Sequence, residues 1–118
     1  MLKFRQKRGA WFVKKDRMLL AYYEVYNPSS RPNAIRDYLL SYRTAEGLEI
    51  DLNTEECTLD EQKGNLRPLC IPPYSGSQFI VAGLSDLSLS SVAKFQVTII
   101  DLFEKKYEFK LDLTRGGS

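Results

Sequence analysis

The sequence contains no histidine. That absence removes Ser-His-Asp and Cys-His catalysis, histidine-ligated zinc and the commonest general base near neutral pH. Its two cysteines, Cys57 and Cys70, are too few for a closed four-ligand zinc site without help from carboxylates. Small secreted domains usually carry more, so the count agrees with a reducing compartment; a single Cys57–Cys70 bridge closing one loop region is the alternative. No apolar run approaches the ~20 residues a membrane helix needs. The basic start, Met1 to Arg8, is not followed by the apolar stretch of a signal peptide. Taken at face value this is a cytoplasmic chain, a reading that trimming from an exported protein would undo. A Gly-rich phosphate loop, a dinucleotide fingerprint, internal repeats and low-complexity segments are also missing.

What is present is a core. The chain has 118 residues, 43% of them hydrophobic, with seven tyrosines and six phenylalanines. That length holds one domain, residues 1–118, and buries enough surface to fold without staples. The net charge of +2 conceals an uneven distribution. Lys3, Arg5, Lys7, Arg8, Lys14, Lys15 and Arg17 face only Asp16 in the first 17 residues, which gives a basic N-terminal arm over 1–9. Glu46, Glu49, Asp51, Glu55, Glu56, Asp60 and Glu61 make the middle acidic.

Strand signals dominate. Met18–Tyr26 is dense in β-formers and puts Leu19, Ala21, Tyr23 and Val25 on one face. Asn27-Pro28-Ser29-Ser30-Arg31-Pro32-Asn33 stops it, because proline lacks an N–H and constrains its predecessor. Ala34–Arg43 follows. Ile35 and Tyr38 are both apolar but three apart, which predicts a β-bulge near Arg36-Asp37, with a short helix as the alternative. Ala45-Glu46-Gly47 turns the chain into Leu48–Leu52 as a hairpin. Residues 53–67 form the longest loop, and Leu69–Pro73 is extended. Ser77–Ala82 is a strand, after which the spacing of Leu84 and Leu87 suits one helical turn between Gly83 and Ser91. Phe95, Val97 and Ile99, then Tyr107, Phe109, Leu111 and Leu113, alternate as a hairpin with one wet face. Arg115–Ser118 reads as a frayed tail. With Trp11–Lys14 as an opening strand, the expectation is an all-β antiparallel sandwich of about seven strands.

This pattern resembles the immunoglobulin-like sandwich domains of small bacterial proteins of uncharacterised role. Glu24-Val25-Tyr26-Asn27-Pro28, the Ser29–Pro32 segment and Ile35-Arg36-Asp37-Tyr38-Leu39 are similar to strand B, the B–C loop and strand C of such domains. Pro72-Pro73-Tyr74-Ser75-Gly76-Ser77 is similar to their approach to strand E. The chain departs from antibody domains, since its only tryptophan, Trp11, precedes strand B and no Cys…Trp…Cys spacing occurs. The resemblance implies an immunoglobulin-like fold and no activity.

Two motif fragments dissolve on inspection. Ser91-Val92-Ala93-Lys94 matches the Ser-x-x-Lys of penicillin-binding enzymes, but the supporting motifs are absent and the segment enters a strand. Asp51-Leu52-Asn53-Thr54-Glu55 begins like a calcium loop, yet Glu56 stands where glycine is needed and Gln62 where the bidentate acid belongs. No metal, cofactor or catalytic group is therefore expected. Two surfaces remain. Trp11, Tyr22 and Tyr26 suit an exposed patch, tyrosine combining large area with a hydroxyl. They point to a non-enzymatic module that binds another protein or a peptide. Lys3, Arg5, Lys7 and Arg8, interleaved with Phe4, Trp11 and Phe12, suit nucleic acid or another anionic surface, which is the alternative function. An enzyme would have to use carboxylates such as Asp37 or Asp101.

Overall fold

The computed structural model describes residues 1–54, 69–92 and 94–113. Nine strands occur among them: β1 (Lys3–Gln6), β2 (Trp11–Val13), β3 (Met18–Tyr26), β4 (Asn33–Arg43), β5 (Glu49–Asp51), β6 (Leu69–Ile71), β7 (Gly76–Leu84), β8 (Phe95–Asp101) and β9 (Lys106–Leu111). They form two antiparallel sheets. In one, β3 lies between β7 on one side and both β1 and β2 on the other. In the second, β4 is flanked by β8, which pairs with β9, and by β5 and β6 at its two ends. The architecture is an all-β sandwich, as the alternation requires.

The inner faces meet in one core. Leu19, Ala21, Tyr23 and Val25 of β3 pack with Phe79 and Val81 of β7 against Ile35, Tyr38 and Leu40 of β4, Phe95, Val97 and Ile99 of β8, and Tyr107 and Leu111 of β9. Each fully buried Leu, Ile, Val or Phe among them stabilises the fold by roughly 1.5–3 kcal/mol relative to exposure. The phase slip in β4 is a bulge: Ile35 pairs with Asp101 and Asp37 with Ile100, leaving Arg36 extra. This one residue lets Ile35, Tyr38 and Leu40 all face inward. In the β4–β5 hairpin, Gly47 takes φ of +94°, and its N–H bonds the Thr44 carbonyl at 3.0 Å.

Two more strands form than the seven expected, and both have simple causes. The extended Leu69–Ile71 pairs with the start of β4. The basic arm over 1–9 is not a free arm, because Lys3–Gln6 is β1 and pairs with β3. Its Phe4 ring lies 5.0 Å from Tyr107 and 5.6 Å from Phe109, a hydrophobic anchor that the surrounding charges conceal in sequence. The helical turn expected in 83–91 does not form. Leu84 stays in β7, exchanging backbone bonds with Asn53, and Leu89 is buried with its N–H on the Asp16 carbonyl at 2.7 Å. Cys70 is a free, exposed thiol, while Cys57, the longest loop beyond Thr54 and the tail at 115–118 lie outside the described residues.

The two sheets are stitched at both sides. On one, the Gln6 side-chain amide donates to the Asp112 carbonyl at 2.7 Å and accepts from the Asp112 N–H at 3.0 Å, with the Ala10 N–H joining at 2.7 Å. On the other, Leu84 and Asn53 exchange bonds of 2.8 and 2.9 Å. Beside them the Tyr38 hydroxyl bridges to Ala82.

Candidate functional site

Register decides what shares the outer face of the β3 sheet. Residues directly opposite in paired strands lie on the same face, which places Trp11, Leu20 and Ala82 in one row and Val13, Met18 and Leu84 in the next. On the other side of the Trp11 row come Tyr22 with Ile80, then Arg5, Glu24 and Gln78, and finally Lys3, Tyr26 and Gly76. The three aromatic residues singled out by sequence, Trp11, Tyr22 and Tyr26, therefore stand on one face. Trp11 and Tyr22 are half-buried and Tyr26 is 44% exposed.

The four bases expected to serve anionic ligands belong to the same surface. The Arg8 guanidinium lies over the Trp11 ring at 4.6 Å and near Tyr22 at 5.6 Å, and Lys7 Nζ stands 5.9 Å from the Tyr22 ring. Arg5 donates from both Nε and a terminal nitrogen to Glu24, whose second oxygen is 4.0 Å from Lys7 Nζ. Lys3 has no ion-pair partner among the described residues. What looked like two separate surfaces is one. Half of it is apolar, and the other half is a charge cluster that a single carboxylate partly neutralises.

Two shallow grooves run across it. One of about 250 Å³ is lined by Lys7, Arg8, Tyr22 and Gln78. The other, of about 500 Å³, lies among Lys3, Arg5, Glu24, Tyr26 and Gly76. Such a surface offers flat aromatic area, two basic groups stacked on rings, and hydroxyl handles. Cation–π contacts of this kind hold the rings in place and contribute ~0.5–1 kcal/mol at exposed sites.

Sequence reasoning missed the apolar half: Met18, Leu20 and Ala82 are buried on this outer face, packed with Trp11, Val13, Ile80 and Leu84. The signal was present. Met18-Leu19-Leu20-Ala21 does not alternate, and an unbroken apolar run marks a strand covered on both faces.

The carboxylates considered for catalysis, Asp101 and Asp37, accept bonds from neighbouring donors. Burial would raise the Asp101 carboxyl. Four donors outweigh it and hold it below the usual range: the Lys105 N–H at 3.0 Å, the Tyr107 hydroxyl at 2.9 Å, the Asn33 amide at 3.2 Å and the Phe103 N–H at 2.9 Å. Burial pushes the Tyr107 phenol up, and Asp101 adds to the effect, while the Leu2 N–H bond opposes it. Asp37 accepts the N–H of Tyr38 at 2.8 Å. Among the described residues no group of three or more Asp, Glu or Cys side chains is placed to hold a metal, and no helix is long and apolar enough to cross a membrane.

No protein-family model matches the chain, and no curated protein matches it significantly. Among solved structures, the archaellum periplasmic stator protein FlaG from Sulfolobus acidocaldarius is similar with a TM-score of 0.50 and 10% identity, over 94% of this chain and 100% of that one. A Northeast Structural Genomics Consortium target is similar with a TM-score of 0.43 and 11% identity, over 99% and 86% of the two chains. At such identities the likeness to FlaG is one of fold alone.

Proposed function

We propose that the protein is a non-enzymatic interaction module that binds another protein or a peptide through the outer face of the β3 sheet. One observation carries the reading: Trp11, Tyr22 and Tyr26 converge on a single sheet face beside an apolar cluster that spans Val13, Ile80 and Leu84. Aromatic residues with a polar rim are what protein-binding patches concentrate. We read the sandwich as immunoglobulin-like, with β3, the 27–32 loop and β4 in the roles of strand B, the B–C loop and strand C. The exposed Cys70 thiol favours a cytoplasmic setting.

A photo-crosslinking residue at Tyr22 or Tyr26, introduced in the native cells, is expected to give one discrete adduct shared by both positions. The same residue at Glu108, on the opposite sheet, is expected to give none. Equal labelling from all three positions, or none from any, would remove the reading.

A second reading, binding of nucleic acid or another anionic surface, draws on Lys3, Arg5, Lys7 and Arg8 sharing that face. Against it, Glu24 already engages Arg5 and Lys7, and the Trp11 ring already carries Arg8. Binding of single-stranded DNA or RNA at low salt, lost steeply as salt rises, is its required signature.

A further inference from the structure

The border of the β3 sheet is closed at one end and open at the other. Among the described residues the only strand that pairs with β7 is β3, on one side; the other side has a bridge at Leu84 alone. The outward N–H and C=O of Ala82 are both held by the Tyr38 hydroxyl at 3.1 Å, and those of Leu84 are held by Asn53. Because outward groups recur every second residue in an antiparallel ladder, Ile80, Gln78 and Gly76 direct theirs the same way. Among the described residues nothing bonds them. Natural edges are usually blunted by charge, proline or a bulge. The stretch Gly76-Ser77-Gln78-Phe79-Ile80 has neither charge nor proline, and its pairing with β3 runs without a register shift.

We propose that this stretch pairs antiparallel with the same stretch of a second copy of the chain, about a two-fold axis through Gln78. That register sets Gln78 against the partner's Gln78 and Gly76 against the partner's Ile80, in both directions. Each of these pairs exchanges both backbone bonds. It is the register in which all three outward-facing residues serve one another and the capped Ala82 is left alone. The side chains agree with it. Ile80 is half-buried on the outer face, and the glycine opposite leaves room for it. The Tyr26 ring, 44% exposed, borders that room, its Cδ1 only 3.7 Å from where a Cβ on Gly76 would stand. Each Ile80 then packs on the partner's Tyr26, covering apolar surface on both. No charged side chain faces its own copy across the axis, so nothing repels at the centre. The result is one sheet running through both copies, which takes Tyr26 into the seam and leaves Trp11 and Tyr22 to the partner proposed above.

Sedimentation over rising concentration tests this. The expected particle mass climbs from 13.6 kDa towards twice that value in the millimolar range. Gln78→Pro removes an N–H that has no partner among the described residues, and an edge position tolerates it. It is expected to stay monomeric with an unchanged unfolding midpoint. Ile80→Lys is expected to do the same through charge, and it serves if the proline variant does not fold. In a Cys57→Ser, Cys70→Ser background, Gln78→Cys is expected to form a disulfide-linked dimer on oxidation, while Lys110→Cys on β9 is not. A wild type that stays monomeric, a folded variant that dimerises like the wild type, or equal cross-linking at both cysteine positions would overturn the proposal.

Discussion

The hydroxyl of Tyr38 accepts from the N–H of Ala82 and donates to its carbonyl, both at 3.1 Å, so one side chain of β4 closes both backbone groups of a β7 residue. Tyr38 and Ala82 are both buried, so water has little access to these groups. Tyr38→Phe leaves both unsatisfied and is expected to destabilise the protein by about 2–3 kcal/mol. Urea unfolding with an unchanged slope measures this; a loss of only a few tenths would show the bridge to be idle.

Tyr23 presents the opposite case. Its hydroxyl is the single buried side-chain polar atom without a partner among the described residues, and its ring stacks on Phe79 at 5.8 Å. Burial pushes its phenol far above the ordinary tyrosine range, with the nearby Asp112 charge adding to the effect. Tyr23→Phe removes the buried hydroxyl and keeps the ring, so it is expected to raise stability by about 1 kcal/mol. The paired variants, Tyr38→Phe and Tyr23→Phe, should therefore shift the unfolding midpoint in opposite directions.

Asp101 sets an acid limit. Its carboxyl is held lower in the folded chain than in the unfolded one, where Asp titrates at about 3.9. Its stabilisation is complete above that unfolded value and is lost as pH falls through the lower folded value. Asp101→Asn, which keeps the shape and loses the charge, is expected to cost roughly 2–3 kcal/mol at neutral pH. It should also flatten the dependence of stability on pH in the acid range. If the Asp101→Asn variant kept the acid profile of the wild type, other carboxylates would govern it.

The β2–β3 hairpin carries local strain. Lys14, Lys15 and Asp16 have φ of +55°, +58° and +62°, left-handed conformations that cost a non-glycine residue roughly 1–2 kcal/mol each. The turn is closed by the Arg17 N–H on the Lys14 carbonyl at 3.2 Å, and it is held by Leu89 and Ser85, which donate to the carbonyls of Asp16 and Arg17. Replacing Lys15-Asp16 by Asn-Gly, the pair that such turns favour, is expected to raise the thermal midpoint, by about 1 kcal/mol of stability. Calorimetry at matched concentration reads it directly.

Sequence revealed most where alternation was clean or broken in a countable way. Phe95–Leu111 alternates and forms the β8–β9 ribbon, and the three-residue gap between Ile35 and Tyr38 located the bulge at Arg36. It was least legible where one signal masked another. Lys3, Arg5, Lys7 and Arg8 drew the eye to charge, although Phe4 between them is a strand's inward position. The spacing of Leu84 and Leu87 fits a helical turn as well as a loop pinned by the buried Leu89, and spacing alone cannot choose between them. At the candidate site, the aromatic residues were visible in sequence. Their sharing a face with the bases was not, because it depends on the registers of β1 and β2 against β3. The stitches between sheets were beyond reach altogether, joining residues 44 apart at Tyr38–Ala82 and 106 apart at Gln6–Asp112.

That last separation has a bearing on how the chain comes to be folded during synthesis. The Leu2 amide finds the Tyr107 hydroxyl only in β9, and the Gln6 side chain, beyond its local bond to the Arg8 carbonyl, finds Asp112 only just after it. As a ribosome releases the protein, β1 must wait, half-satisfied, until β9 and Asp112 have emerged. Through that interval Phe4 has Phe79 for company but neither Tyr107 nor Phe109, leaving an oily edge that a chaperone would find before β9 does.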